Sequence, residues 1–240
     1  MKEENEELLG IDKFDECDPR QHQMKLLFGC GVKFGLRGSG EHTYLEVRNI
    51  THGFFPKNHP FSGYKYYGVS DLQDKTHKLS VNTDYVRDTC NNMRVPVMND
   101  DRTSDDLGGS IGRYLVKMAP GQTRIYCKVR PLLSQTLDES TGKRQFFYGE
   151  KPIGKNGITK LFKEGAFILG LPHPEKNSPH SLRAYFVTKL ANGSGVSDQE
   201  RMSSSRHNSI SASAIYQERN GVSKWNKFAS LGMCPTKKSR

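Results

Sequence analysis

Two basic side chains near residue 180 have a spacing that suits phosphate binding. Ser178 can cap a helix and Pro179 suits its first position, which places His180 and Arg183 in the opening turns. Residues three apart project from the same side of a helix, and the free backbone N–H groups at a helix N-terminus favour anions. Such a pair can hold a phosphate, although for this spacing alone a solvated surface pair is the commoner outcome.

Four further residues extend this pair into an ordered set. Arg37 lies far upstream in a glycine-rich turn, and Lys75 lies in a polar turn between two predicted strands. His207 follows Arg183 by 24 residues, and Tyr216 follows His207 by nine. In chain order the set reads Arg, Lys, His, Arg, His and Tyr, which resembles the active-site set of tyrosine recombinases. The His-x-x-Arg motif of that family matches the HSLR run.

Two longer segments narrow this resemblance to the eukaryotic Crypton-type branch of the tyrosine recombinases. They are residues 34–42 (FGLRGSGEH) and residues 180–190 (HSLRAYFVTKL). Crypton-type recombinases come from DNA transposons, and the resemblance covers roughly residues 25–220. It implies an α+β fold, in which a mostly helical catalytic domain carries a small antiparallel β-sheet with Lys75 at a turn of that sheet.

The resemblance implies cleavage and rejoining of DNA with Tyr216 as the nucleophile. The phenol would attack a phosphodiester, form a covalent 3′-phosphotyrosyl link and release a 5′-hydroxyl, and the reverse reaction would rejoin a strand. The covalent link conserves the energy of the broken bond, so neither a metal nor a nucleotide cofactor is needed. The implied partners are double-stranded DNA and other copies of the chain, in a synaptic dimer or tetramer.

The other five residues have supporting roles by the same resemblance. The guanidinium groups of Arg37 and Arg183 would bind the phosphate oxygens as negative charge develops in the transition state. His180 would act in proton transfer near the tyrosine, and His207 would donate a hydrogen bond to the scissile phosphate. Lys75 would protonate the leaving 5′-oxygen as a general acid.

Several features depart from the family pattern and keep alternatives open. Lys78 is a rival for the general acid, Arg206 stands where the family usually has a glycine, and Glu41 lies one position later than the family's acidic residue. The residues before Arg37 are too few to form the family's N-terminal core-binding domain. One alternative is therefore a domesticated or truncated module that binds DNA or protein without cutting. Another is an unrelated basic scaffold.

The distribution of charge agrees with a nucleic-acid partner. Residues 1–20 carry three basic and eight acidic side chains, whereas the other 220 residues carry 33 basic and 18 acidic ones. A basic body of this size suits a polyanion.

The five cysteines are odd in number and form no Cys-x-x-Cys pair, which predicts reduced thiols. The N-terminus has no apolar signal region, so we expect an intracellular protein, and a nuclear one for a eukaryotic DNA enzyme.

The composition along the chain predicts three regions. Residues 1–24 are expected to be an acidic, poorly ordered lead, residues 25–220 the catalytic domain, and residues 221–240 a basic flexible tail. The first core element should span residues 24–32, because that segment is apolar.

Hydrophobic periodicity predicts the elements that position the site. Residues 64–69 and 78–83 have the composition of two strands, and residues 154–169 have helical spacing. The candidate core positions of that helix are Ile158, Leu161, Phe162 and Phe167. The helix that begins at Pro179 should bury one apolar stripe, formed by Leu182, Phe186 and Leu190.

Overall fold

The computed structural model of the chain describes residues 10–70, 94–97, 107–131 and 147–192. Within these ranges the five helices are α1 (Pro19–Lys33), α2 (Gly38–Tyr44), α3 (Leu107–Leu115), α4 (Lys155–Ile168) and α5 (Pro179–Asn192). The strands are β1 (Ile50–Phe54), β2 (Lys65–Val69), β3 (Arg94–Pro96), β4 (Cys127–Val129) and β5 (Tyr148–Pro152). None of the described helices combines the length and apolar composition needed to cross a membrane.

The described strands form two small antiparallel sheets. The first has the order β1-β2-β3, with Phe54 opposite Lys65 and Tyr67 opposite Val95. The second pairs β4 with β5. The predicted α+β fold with a small antiparallel sheet is therefore confirmed, and β2 confirms the strand predicted at residues 64–69. The strand predicted at residues 78–83 lies outside the described residues.

Helix α1 lies within the hydrophobic core and is buried over most of its length. Its start is fixed by Asp18, whose carboxylate accepts hydrogen bonds from the backbone N–H groups of Arg20 at 2.7 Å and Gln21 at 3.2 Å. Ten consecutive residues from His22 to Gly31 are buried, and the helix packs against α3 and α4. A helix buried on all sides must satisfy its own polar side chains inside the protein.

Two buried polar side chains of α1, Gln23 and His22, form hydrogen bonds with other elements. The side-chain amide of Gln23 donates to the carbonyl oxygen of Cys127 in β4, at 2.6 Å. The Nε2 atom of His22 lies 3.1 Å from the carbonyl oxygen of Ser110 in α3. These bonds connect α1 to the second sheet and to α3, and each would leave a buried polar atom unsatisfied if its partner were lost.

Glu16 gathers the basic side chains of α1 and α3 into one partly buried cluster. Its carboxylate accepts two hydrogen bonds from Arg113, at 2.6 and 2.9 Å, and lies 2.9 Å from Nζ of the buried Lys25. Burial by itself would raise the pKa of Glu16, but the hydrogen bonds from Arg113 and Lys25 outweigh it and hold the pKa well below its ordinary value. Burial and the nearby Lys117 ammonium lower the pKa of His22 to about 4, so this imidazole is neutral at pH 7.

This cluster corrects the predicted boundary of the acidic lead. Helix α1 begins at Pro19, and the ring of Phe14 is buried against Phe28 with 5.7 Å between ring centroids. The boundary expected at residue 24 therefore lies inside α1. The acidic composition of this segment suggested poor order, but Glu16 forms ion pairs with basic side chains of the core and does not simply face solvent.

Helix α4 packs its apolar stripe on α1, with one correction to the predicted core. The Phe28 and Phe162 rings stack at 5.0 Å with an interplanar angle of 8°. The buried positions are Ile158, Leu161, Phe162, Gly165 and Ala166. Phe167 was predicted in the core, but it is 78% exposed. Phe167 comes directly after Ala166, the last buried position of this i, i+3, i+4 pattern, and its side chain falls outside the apolar stripe.

The chain divides into a unit of residues 1–183 and a unit of residues 184–240. The first contains the elements described above, up to the opening turns of α5. In the second, the described residues continue α5, where Phe186 is buried, Leu190 is partly buried and the Lys189 ammonium lies 5.1 Å from the centroid of the Tyr185 ring.

We predict that Glu16→Gln lowers the free energy of unfolding by about 3 kcal/mol near neutral pH, because it removes the negative charge that lies 2.9 Å from the ammonium of buried Lys25. The lowered pKa of Glu16 means that its stabilisation is present above the unfolded value of 4.5 and is lost as pH falls below it. The difference between wild type and variant should therefore shrink in acid. Urea unfolding at a series of pH values measures it.

Glu164→Gln is the matched control for this prediction. Glu164 accepts a hydrogen bond from Arg20 at 2.7 Å, but both side chains are more than a third exposed. Loss of this ion pair should lower the free energy of unfolding by at most about 1 kcal/mol. Equal costs for the two variants near neutral pH would contradict the role given to Glu16.

Candidate active site

The glycine-rich turn predicted around Arg37 connects α1 to α2. Gly35 and Gly38 have φ angles of 58° and 47°, in the left-handed region that favours glycine. Between them, the side chain of Leu36 is fully buried in the core. The turn is therefore fixed by its backbone geometry and by one apolar anchor, and it presents Arg37 at the start of α2.

Glu41 holds Arg37 at the N-terminal end of α2. One carboxylate oxygen of Glu41 accepts a hydrogen bond from the backbone N–H of Arg37 at 2.6 Å. The other lies 3.9 Å from Nε of the Arg37 side chain, which is 30% exposed. The acidic residue that stands one position later than the family pattern thus orients the arginine while leaving it accessible to solvent.

Arg183 reaches the same turn from helix α5. Its Nη1 donates a hydrogen bond of 2.7 Å to the carbonyl oxygen of Gly35, a residue 148 positions away in the chain. The Arg183 side chain is only 2% exposed. The carbonyl it binds lies two residues before Arg37. This bond therefore brings Arg183 to the turn that carries Arg37.

Close packing at Gly31 fixes the first turns of α5. A Cβ atom added to Gly31 in α1 would lie 2.5 Å from Cδ1 and 2.8 Å from Cβ of Leu182, and both distances are too short for carbon atoms. Leu182 directly precedes Arg183 and is itself buried. The missing side chain at Gly31 is therefore what lets Leu182, and Arg183 with it, approach the end of α1.

His180 lies in the first turn of α5 and is exposed, unlike Arg183 on the same helix. Pro179 is buried, and the backbone N–H of Ser178 donates to the hydroxyl of Ser181 at 3.4 Å. The predicted helix start is confirmed at Pro179. The side-chain hydroxyl that accepts a hydrogen bond at this helix start belongs to Ser181. Ser178, the predicted cap, donates its backbone N–H instead.

The structure describes three of the six predicted site residues, namely Arg37, His180 and Arg183. Lys75, His207 and Tyr216 lie outside the described residues, as do Lys78 and Arg206. Strand β2 leads directly into the segment that contains Lys75. The positions of these residues relative to the arginine pair therefore stay predictions.

Two buried aromatic residues that the sequence reasoning missed hold the helix of Arg37 in place. His42 is fully buried, and its Nδ1 lies 3.3 Å from the hydroxyl of Tyr126. The two rings meet nearly edge to face, with 5.6 Å between centroids. Burial raises the pKa of Tyr126, so its hydroxyl stays protonated and can donate to the imidazole. The histidine that ends the FGLRGSGEH segment therefore supports α2 from within the core.

No protein-family model matches this sequence, and no curated protein matches it. Solved structures do match. One is the XerH site-specific recombinase bound to difH substrate in a pre-cleavage complex, with a TM-score of 0.51, 17% identity, 94% of this chain covered and 51% of that chain. Another is XerH bound to palindromic difH substrate in a post-cleavage complex, with a TM-score of 0.53, 16% identity and coverages of 94% and 50%.

These comparisons establish the fold of the chain. At identities of 17% and 16% the likeness lies in the backbone arrangement rather than in the sequence. The chain has an α+β fold similar to part of the XerH recombinase, as the resemblance predicted, and it spans about half the length of the XerH chain.

We predict that Gly31→Ala lowers the free energy of unfolding by about 1–3 kcal/mol, because the new methyl group overlaps Leu182 and must push the start of α5 away. Gly40→Ala in α2 is the matched control, since a Cβ there would meet nothing within 4 Å. It should be neutral or stabilising by up to about 1 kcal/mol. Thermal unfolding of both variants measures the difference, and equal stabilities would contradict the packing argument.

Proposed function

We propose that this chain is the catalytic part of a tyrosine recombinase, which cleaves and rejoins DNA through a covalent 3′-phosphotyrosyl intermediate. The observation that carries the proposal is the hydrogen bond from Arg183 to the carbonyl of Gly35, two residues before Arg37. Two arginines from distant parts of the chain thereby meet at one turn, within a fold that is similar to a site-specific recombinase.

The different exposure of the two arginines suggests different roles for them. Arg37 is 30% exposed and can reach a phosphate from solvent, whereas Arg183 is 2% exposed and uses one of its five N–H groups on Gly35. We infer that Arg37 makes the more accessible phosphate contact and that Arg183 both fixes the turn and adds positive charge. Positioned donors of this kind each lower a reaction barrier by about 2.7–4 kcal/mol.

The proposed reaction consists of two transesterifications. The Tyr216 oxygen attacks the phosphorus, a P–O bond to the tyrosine forms, and the bond to the 5′-oxygen breaks. His180 takes part in moving the phenol proton, and Lys75 gives a proton to the leaving 5′-oxygen. His207 and the two arginines bind the phosphate oxygens. In the second step a 5′-hydroxyl attacks the phosphotyrosyl bond and the phenol regains its proton.

The finer parts of the proposal follow from the sequence segments. The FGLRGSGEH and HSLRAYFVTKL segments support membership of the Crypton-type branch. With this membership we propose a catalytic domain that extends to about residue 220, followed by a basic tail. We also propose an origin in a transposable element and action in the nucleus. The basic body of the chain supports double-stranded DNA as the substrate. Recombination joins two duplexes, so we propose a synaptic dimer or tetramer of the chain.

One observation favours a second candidate function. Arg183 is only 2% exposed and binds the Gly35 carbonyl of its own chain, which is also what a purely structural arginine does. A domesticated or truncated recombinase-derived module that binds DNA or protein without cutting is compatible with this burial. The two functions differ in whether the chain forms a covalent bond to DNA.

The test uses a pool of nicked, random-sequence DNA duplexes, because the target site is unknown. In a nicked duplex the short cleaved fragment diffuses away and the phosphotyrosyl complex accumulates. We predict a covalent protein–DNA band on a denaturing gel for the wild-type chain. Tyr216→Phe should abolish the band and leave DNA binding intact, because it removes only the attacking oxygen.

Tyr44→Phe is the control, since Tyr44 is 60% exposed and has no part in the proposed chemistry. It should give the wild-type band. A band that persists in Tyr216→Phe would move the nucleophile elsewhere. DNA binding without a covalent band in the wild-type chain would favour the binding module.

A further inference from the structure

The connection between β1 and β2 forms an exposed cluster of aromatic rings, residues 54–65, called here the aromatic tip. Phe55 is its buried centre and stacks on His59, with 4.2 Å between ring centroids and an interplanar angle of 15°. The rings of Phe61 and Tyr66 also lie against Phe55, at 5.8 and 5.1 Å. Ring packing of this kind is usual in a protein core and unusual in a surface loop.

Backbone hydrogen bonds make the aromatic tip a folded unit. The N–H of Phe55 donates to the carbonyl of Tyr64 at 2.9 Å, and the N–H of Ser62 donates to the carbonyl of His59 at 2.8 Å. Gly63 turns the chain with a φ of 80°. The backbone of the tip is therefore folded before any partner arrives, which reduces the entropic cost of binding.

Three aromatic rings of the tip are turned out to solvent. Phe54 is 70% exposed, Tyr64 is 44% exposed and Phe61 is 37% exposed. A single exposed apolar side chain is ordinary, but three within one folded connection suggest a binding surface.

The charge of the tip indicates the chemistry of its partner. The sequence from residue 48 to residue 70 contains no Asp or Glu, and the exposed cations Lys57 and Lys65 lie within the tip. Arg94 of β3 lies over the Tyr66 ring, with 4.5 Å from its guanidinium carbon to the ring centroid. Lysines interleaved with aromatic rings, without an acidic side chain, suit the phosphates and sugars of nucleic acid.

The aromatic tip lies at the opposite end of β2 from Val69, after which the chain continues toward Lys75. In an antiparallel pair the β1–β2 turn lies at one end, and the start of β1 and the end of β2 lie at the other. The end of β2 leads into the segment that contains Lys75. The five residues of β2 span about 17 Å at about 3.4 Å per residue, which is roughly the length of five base pairs.

We infer that the aromatic tip is a second DNA-binding surface, which holds duplex DNA beside the cleaved phosphate. Lys57 and Lys65 pair with backbone phosphates, and the exposed rings of Phe54 and Phe61 pack against sugars and base edges in the groove. The inference rests on the proposed function for the identity of the nucleic acid. It adds a contact that depends on none of the predicted catalytic residues.

The salt dependence of DNA binding tests this inference without any cleavage. Binding of the 240-residue chain to fluorescent random-sequence duplex DNA is measured by anisotropy over a range of salt concentrations. The slope of log K against the logarithm of the salt concentration becomes shallower by about 0.9 for each phosphate contact that is removed. Lys57→Gln with Lys65→Gln should therefore reduce the slope by about 1.8, and Phe54→Ala should weaken binding about fivefold.

Helix α4 supplies matched controls for both changes. Lys163 is an exposed lysine and Phe167 is a phenylalanine that is 78% exposed, beside Asp18 and Glu164. Lys163→Gln changes the charge by the same amount as either lysine of the tip, and Phe167→Ala removes a ring that is slightly more exposed than Phe54. Neither should change the affinity or the salt slope.

The outcomes separate this inference from the proposed function. Unchanged affinity and slope in the tip variants would overturn the inference. Equal losses in the α4 controls would also overturn it, because the effect would be one of total charge. Tip variants that weaken binding in a chain that forms no covalent band would support the inference and contradict the cleavage step.

Discussion

The hydrogen bond between the Arg183 guanidinium and the Gly35 carbonyl is the interaction on which the proposed site depends. A guanidinium that is 2% exposed is unfavourable in a protein interior unless its N–H groups find acceptors. The carbonyl of Gly35 supplies one at 2.7 Å, and its direction follows from the left-handed conformation of that glycine. The bond thus fixes the start of α5 and the turn of Arg37 against each other, although their residues are far apart in sequence.

Helix α1 supplies the rigid support for this bond. It ends directly before the turn, and Gly31 near its end accepts the close approach of Leu182. Its buried polar side chains are paired with β4, with α3 and with Glu16, so displacement of the helix would break several buried bonds at once. Because the core packs around α1, the position of Arg183 is set by the fold as a whole and does not rely on a flexible loop.

The sequence predicts the parts of the site that are local. The His-x-x-Arg spacing, the start of α5 at Pro179 and the glycines around Arg37 each depend on nearby residues. The sequence does not reveal that Glu16 belongs to the core, because its basic partners Lys25 and Arg113 come from two separate helices. Nor does it reveal that Phe167 points outward. Hydrophobic spacing does not show whether the last residue of a helical stripe still faces the core.

The contact between Arg183 and Gly35 is equally invisible in the sequence, because no local pattern links residues 148 apart. The family resemblance suggested that the two arginines meet, but it gave no information on which atoms do so. The aromatic tip was missed for a different reason. Its residues had no place in the recombinase motif set, and only the structure shows which of their rings pack together and which face solvent.

Amide hydrogen exchange of the Arg183→Met variant tests the central claim most directly, because methionine keeps an apolar stem but removes the donor to Gly35. We predict that the backbone amides of residues 35–41 exchange about tenfold faster than in the wild-type chain, since one buried hydrogen bond is lost. Amides in the middle of α4 should keep their wild-type rates. Unchanged exchange at residues 35–41 would contradict the account, because the turn of Arg37 would then be held without Arg183.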